Sequence, residues 1–137
     1  GVSYAIFIAG IEADNAAWKE EAIAIALKAS TRRDPLQNKK LDAGLCHGTS
    51  GIAYIYFKYY IHTGIKAFKE ASDFWQQQTL LLSKYKTGIV GYKKYSGLSN
   101  KMINEAGLLE GVVGIGLAFS AIRKKRDFNW DRCLLLS

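Results

Sequence analysis

The chain has 137 residues, 49% of them hydrophobic and 23% charged, which is enough to bury a core as one domain over residues 1–137. Its net charge is +7, but the basic residues form short, scattered clusters without an aromatic interleaving motif, which argues against a nucleic-acid partner. No apolar run reaches the ~20 residues of a bilayer span, and the N-terminus does not resemble a targeting signal. With two distant cysteines and no disulfide framework, we expect a cytoplasmic protein without a transmembrane segment.

The first 30 residues predict one buried and one amphipathic helix. Residues 2–11 are apolar nearly all round, which is typical of a helix buried on most sides. Asn15 is a candidate N-cap for a second helix over residues 16–30, and Pro35 stops the helical pattern. One face of the second helix carries its apolar side chains: Trp18, Ala22, Ile25, Ala26 and Ala29.

A glycine-rich turn over residues 44–51 carries an adjacent thiol and imidazole, Cys46 and His47. Thiolate sulfur and imidazole nitrogen both suit Zn²⁺ in a tetrahedral shell. Adjacent side chains reach one ion only where the backbone kinks, and the flanking glycines give that freedom. The pair lacks the spacing of structural zinc sites and fills half a shell. A buried cysteine beside a histidine bonded to a backbone carbonyl therefore stays an open alternative.

The middle of the chain continues the alternation of buried and surface helices. Thr49 or Ser50 is a candidate cap for an apolar helix through residues 52–60. Residues 65–84 predict an amphipathic helix, and residues 87–99 a loop with a short hairpin. The predicted inward side chains of the amphipathic helix are Phe68, Ala71, Trp75, Gln78, Leu81 and Leu82.

A second glycine-rich turn, residues 107–116, repeats the first at an offset of 63 positions, from Gly44 to Gly107. Glu110 stands in it where His47 stands in the first turn. We interpret Glu110 as a carboxylate that accepts backbone amides at the start of a helix, residues 112–122, rather than as an acid catalyst. Cys133, close to the carboxyl end, is interpreted as a core residue.

The two turns resemble motifs of the lanthionine synthetase C family, the lantibiotic cyclases. The motifs are Gly44-Leu45-Cys46-His47-Gly48 followed by Gly51-Ile52, and Gly107-Leu108-Leu109-Glu110-Gly111-Val112-Val113-Gly114-Ile115-Gly116-Leu117. The resemblance covers essentially the whole chain and implies an all-α fold. It implies the C-terminal part of an α/α toroid, a barrel of helical hairpins with glycine-rich turns before the inner helices. It also implies a zinc ion held by Cys46, His47 and a cysteine of a turn that ends at Gly1.

The activity implied by the resemblance is that of a zinc-dependent cyclase. Such an enzyme activates cysteine thiols of a dehydrated precursor peptide for Michael addition to dehydroalanine or dehydrobutyrine, which forms thioether rings. The family's proton-transfer residues would lie upstream, so no catalytic residue is assigned and we expect this chain to be inactive alone. The alternative is a non-catalytic α/α module that binds peptide or carbohydrate. Apolar inner helices at residues 2–11, 52–60 and 112–122 would be exposed, so we expect a homodimer that covers them.

Overall fold

The computed structural model describes residues 1–34, 42–126 and 129–134, without the side chains of Asn129 and Cys133. The elements in these ranges are α1 (Val2–Glu12), α2 (Ala16–Ser30), α3 (Thr49–Thr63), α4 (Lys66–Leu81), β1 (Lys94–Ser96), β2 (Lys101–Ile103), α5 (Val112–Lys124) and a 3₁₀-helix (Asn129–Leu134). The regular elements of the described residues are helices apart from one antiparallel hairpin, which confirms the predicted all-α class. Closure of the helices into a toroid stays a prediction. The predicted stop at Pro35 and the core position of the Cys133 side chain lie outside the described residues.

The first four helices form two packed hairpins. Helix α1 packs on α2 and α3 on α4, while α2 also contacts α4 and α5 contacts α3. The Tyr59 ring on α3 lies 5.2 Å from that of Tyr4 on α1, which joins the two hairpins, and 4.8 Å from that of Phe68 on α4. Close aromatic pairs of this kind stabilise a fold by more than the apolar area that they bury would account for. None of the helices in the described ranges has the length and hydropathy needed to span a membrane.

Helix α3 is covered within the single chain, contrary to the prediction that its apolar face is exposed. Nine of its 15 residues are buried, because α4 and α5 both pack against it. Helix α1 is not buried on most sides, and this agrees with the predicted exposure of residues 2–11. It buries only Tyr4, Phe7 and Gly10, and its opposite side carries an exposed Val2.

The predicted N-cap of α2 is confirmed, and that of α3 is wrong. Asn15 Oδ1 accepts a hydrogen bond from the backbone amide of Trp18 at 3.1 Å. Helix α3 starts after Gly48 with no side-chain cap. Thr49 is buried instead, with its hydroxyl 2.8 Å from that of Thr79 on α4. The hydroxyl that could have capped the helix therefore makes a contact between two helices.

Candidate metal centre

The two glycine-rich turns share one backbone arrangement, which confirms the predicted repeat. The amide of Thr49 donates to the carbonyl of Asp42 at 2.9 Å, and 63 positions later Val112 donates to Glu105 at 3.2 Å. Each acidic side chain also accepts the amide of the first glycine of its turn, at 2.9 and 2.8 Å. Each turn is therefore hydrogen-bonded to an acidic residue that stands two positions before its first glycine, and its helix begins after the turn.

Glycine is required where each turn meets its helix. A Cβ atom on Gly51 would lie 1.8 Å from the carbonyl oxygen of Leu45, and one on Gly114 would lie 1.9 Å from that of Leu108. Both contacts are with backbone atoms, which cannot move aside as a flexible side chain can. The glycine spacing of the motif thus follows from the close approach of the turn to the first turn of its helix.

The two turns also contact each other at equivalent positions. The amide of Cys46 donates to the carbonyl of Leu109 at 2.7 Å. A Cβ on Gly44 would lie 3.1 Å from the Cα of Glu110, so the absence of a side chain at Gly44 lets the two backbones approach. Because the turns run side by side, His47 and Glu110, which are equivalent in the repeat, lie next to each other.

Cys46 and His47 both lie on the surface at the entrance to α3. Cys46 is a free, exposed thiol, and the His47 side chain is 68% exposed. Cys46 lies at a cavity of about 230 Å³ that it shares with Gly1. The remaining described lining residues are Leu45, Gly51, Tyr54, Ile55, Leu109 and Leu134. Among the described residues, no group of three or more Cys, His, Asp or Glu side chains could hold a metal ion. The described chain therefore offers the two predicted ligands and does not add a third.

Glu110 joins His47 to a lysine on the hairpin. Its Oε1 lies 3.5 Å from Nε2 of His47, and its Oε2 accepts a hydrogen bond from Nζ of Lys94 at 2.5 Å. That hydrogen bond lowers the pKa of Glu110 and raises the pKa of Lys94. The interpretation of Glu110 as the acceptor for backbone amides is therefore wrong. Glu105 has that role, because its Oε1 accepts the amide of Gly107.

A family model described as lanthionine synthetase C-like protein matches residues 1–135 of the chain. The chain belongs to this lanthionine synthetase C-like family. Membership confirms the resemblance inferred from the two turns, and it indicates a function related to lanthionine synthetases with a peptide substrate. No curated protein matches the chain.

In this member of the family, Asp42 connects the first glycine-rich turn to the hairpin. Its Oδ1 accepts the amide of Gly44 at 2.9 Å, and its Oδ2 accepts the amide of Tyr95 at 3.2 Å. The hairpin residue Lys94 is thereby held beside Glu110. Sequence reasoning missed both Asp42 and Lys94. The repeat contained a signal for Asp42, which stands 63 positions before Glu105, whereas Lys94 has no such marker.

A buried ion pair fixes the 3₁₀-helix to α3. Lys58 Nζ donates to Oδ2 of Asp131 at 2.9 Å, and both side chains are fully buried. The hydroxyl of Tyr54 donates to the same oxygen at 2.8 Å, and its ring stacks on that of Trp130. Leu134 of the same 3₁₀-helix lines the cavity beside Cys46, so this ion pair holds one wall of the candidate site in place.

Proposed function

We propose that Cys46 and His47 are two of the protein ligands of a zinc ion in a lanthionine synthetase. The observation that carries the proposal is the pairing of an exposed thiol and imidazole at the start of α3 in a chain of this family. Sulfur and imidazole nitrogen together are a donor set that suits zinc. The hydrogen bond between the turns fixes the backbone of Cys46, so the thiol is presented from a defined position.

A further ligand is required, because catalytic zinc sites have three protein ligands and one open position. The resemblance to the family implies that this ligand is a cysteine just before Gly1. Support for that placement comes from Gly1 itself, which lines the same cavity as Cys46. A turn that ends at Gly1 would therefore lie near the two ligands that the described chain supplies.

Zinc bound there would lower the pKa of a peptide cysteine thiol, so that its thiolate can add to the β-carbon of dehydroalanine or dehydrobutyrine and close a thioether ring. The chain's own residues would position that peptide. The cavity beside Cys46 is lined mostly by apolar side chains, among them Leu45, Ile55 and Leu109, which would exclude water around the reacting thiol. The partner in this proposal is a dehydrated, cysteine-containing precursor peptide.

We expect residues 1–137 alone to bind this peptide and fail to cyclise it, because the resemblance places a third ligand and the proton-transfer residues upstream of Gly1. The assay follows loss of free thiol and binding of a dehydrated, cysteine-containing peptide, with and without Zn²⁺. We expect binding that strengthens with zinc, and ring closure at the uncatalysed rate.

A cytoplasmic location stays a prediction.

The matched control for this assay is Cys46→Ala with His47→Ala. Zinc should no longer strengthen peptide binding to this variant. Binding of peptide or carbohydrate whose affinity is unchanged by zinc and by the double substitution would support the non-catalytic module instead. Ring closure by the unaltered chain would show that the upstream residues are dispensable.

A further inference from the structure

We infer that Glu110 is a positioning residue for His47, holding Nε2 of the imidazole so that Nδ1 is the nitrogen that faces the metal. The inference rests on the proposed zinc site and adds two things to it. It names the nitrogen that binds, and it names the residues that orient the ring, Glu110 and, behind it, Lys94.

The first observation is that the two oxygens of Glu110 have different partners. Oε1 lies 3.5 Å from His47 Nε2, while Oε2 is bonded to Lys94 Nζ at 2.5 Å. Glu105 Oε2 lies 3.6 Å from the same ammonium group. Lys94 is mostly covered, with 16% of its side chain exposed, so it is a defined anchor. The carboxylate is thus held by one oxygen and directs the other at the imidazole.

The second observation is that the backbone, independently of these side chains, places Glu110 beside His47. The bond from Cys46 to Leu109 joins the residues immediately before them, and Gly44 allows the close approach at Glu110. An exposed contact between these two side chains would be weak on its own, because water and salt screen it. Here the pair is brought together by a fixed contact between two turns, so its role is orientation rather than stability.

An imidazole has two distinct nitrogens, and the partner of one decides which proton state and direction the other adopts. Metal-binding histidines commonly donate their second ring N–H to a carboxylate, and removing that carboxylate typically lowers metal affinity ~10–100-fold. With Nε2 turned toward Glu110, the nitrogen left for the metal is Nδ1. Nδ1 is also the nitrogen nearer the backbone, which suits a ligand whose neighbour in sequence, Cys46, is to bind the same ion.

The test uses ¹¹³Cd²⁺ as the probe and protein labelled with ¹⁵N at histidine. The chain has two histidines, so His62 serves as an internal reference. At saturating Cd²⁺, we expect coupling between ¹¹³Cd and Nδ1 of His47. Glu110→Ala should weaken Cd²⁺ binding about 10–100-fold, and Lys94→Met should have a smaller effect in the same direction. In metal-free protein, Glu110→Ala should shift the His47 Nε2 signal and leave those of His62 unchanged.

Glu105→Gln is the matched control, because it removes the other carboxylate near Lys94 while its amide oxygen can still accept the Gly107 amide. Its Cd²⁺ affinity should stay within about twofold of the unaltered chain, and circular dichroism should show that every variant is folded. Coupling to Nε2, or an unchanged affinity in Glu110→Ala, would overturn the inference and leave the zinc proposal standing. No coupling to either nitrogen of His47 in the unaltered chain would overturn both.

Discussion

At the scale of single residues, the glycines of the two turns are fixed by contacts that any side chain would break. Gly51 is the clearest case, because its Cβ would lie 1.8 Å from a backbone oxygen. We expect Gly51→Ala to lower the free energy of unfolding by about 1–3 kcal/mol, the range of overpacked sites. Urea denaturation of both proteins measures the difference.

Gly116 provides the control, since a Cβ there would meet nothing within 4 Å and the residue lies inside α5. Gly116→Ala should stabilise the chain by about 0.5–1 kcal/mol, because alanine restricts the unfolded chain and suits a helix. Equal stability losses in Gly51→Ala and Gly116→Ala would contradict the contact argument.

Buried tyrosines give the chain an alkaline pH dependence. Burial raises the pKa of Tyr59 above its ordinary value of 10.0. The folded state therefore favours the neutral phenol, and the resulting stability is complete below about pH 10 and is lost as pH rises through the folded pKa. Between pH 10 and 11, the free energy of unfolding should fall more steeply in the unaltered chain than in Tyr59→Phe. Identical slopes would be evidence against a raised pKa.

Cys46 and His47 could be identified from the sequence because they are adjacent in one motif. The residues that lie near them in the fold could not, for a physical reason. Lys94 and Glu110 are 16 positions apart, and Tyr95 and Asp42 are 53 apart. Helical spacing and turn chemistry describe near neighbours, whereas these pairs depend on how the hairpin folds over the turns. Lys58 was missed similarly, because a lysine in an apolar helix signals nothing until its partner Asp131 is placed.

At the scale of elements, helix existence and starts were predictable, and inward faces were predicted less well. Helix α2 has the predicted bounds and cap. Trp18 and Ile25 of its predicted apolar face are nevertheless exposed, and its buried positions are Ala22, Ala26 and Ser30. The prediction was therefore right for Ala22 and Ala26 and wrong for the two large side chains, because the positions that α2 buries are all small. Helix α4 likewise ends at Leu81, which is exposed rather than inward.

The link between α3 and the 3₁₀-helix should depend strongly on its buried charges. Asp131→Ala would leave the fully buried ammonium of Lys58 without this carboxylate, which typically lowers the free energy of unfolding by ~3–5 kcal/mol. The double variant Lys58→Met with Asp131→Leu removes both charges and should recover most of that loss. Chemical denaturation of the three proteins checks this. A double variant no more stable than Asp131→Ala would show that the charge pair is not the cause.

At the scale of the whole molecule, the contact between the two equivalent turns is what the predicted toroid would repeat around a ring. The structure describes one such contact, between the turns before α3 and α5. Closure of the helices into a toroid was inferred from the family resemblance and stays a prediction. The predicted exposure of α3 was wrong because α4 and α5 of the same chain already pack against it.

Exposed apolar positions on α1 and α5 predict self-association. Val2 on α1 is 79% exposed and Val113 on α5 is 50% exposed. We propose that two copies pair through these faces, with light scattering showing a mass that rises with concentration. Val113→Asp should shift the equilibrium toward monomer. Leu98→Asp, at a 104% exposed position in the hairpin turn, should not. A strictly monomeric chain that binds no hydrophobic dye would contradict the proposal.

The central claim is that Cys46 and His47 bind zinc, and a competitive Zn²⁺ titration against a chromophoric chelator tests it most directly. The chain should bind one zinc, with an affinity that falls in Cys46→Ala and in His47→Ala and is lost when the two are combined. Cys133→Ser controls for the second thiol and should bind as the unaltered chain does. Zinc held equally tightly by the Cys46→Ala, His47→Ala double variant would contradict the claim.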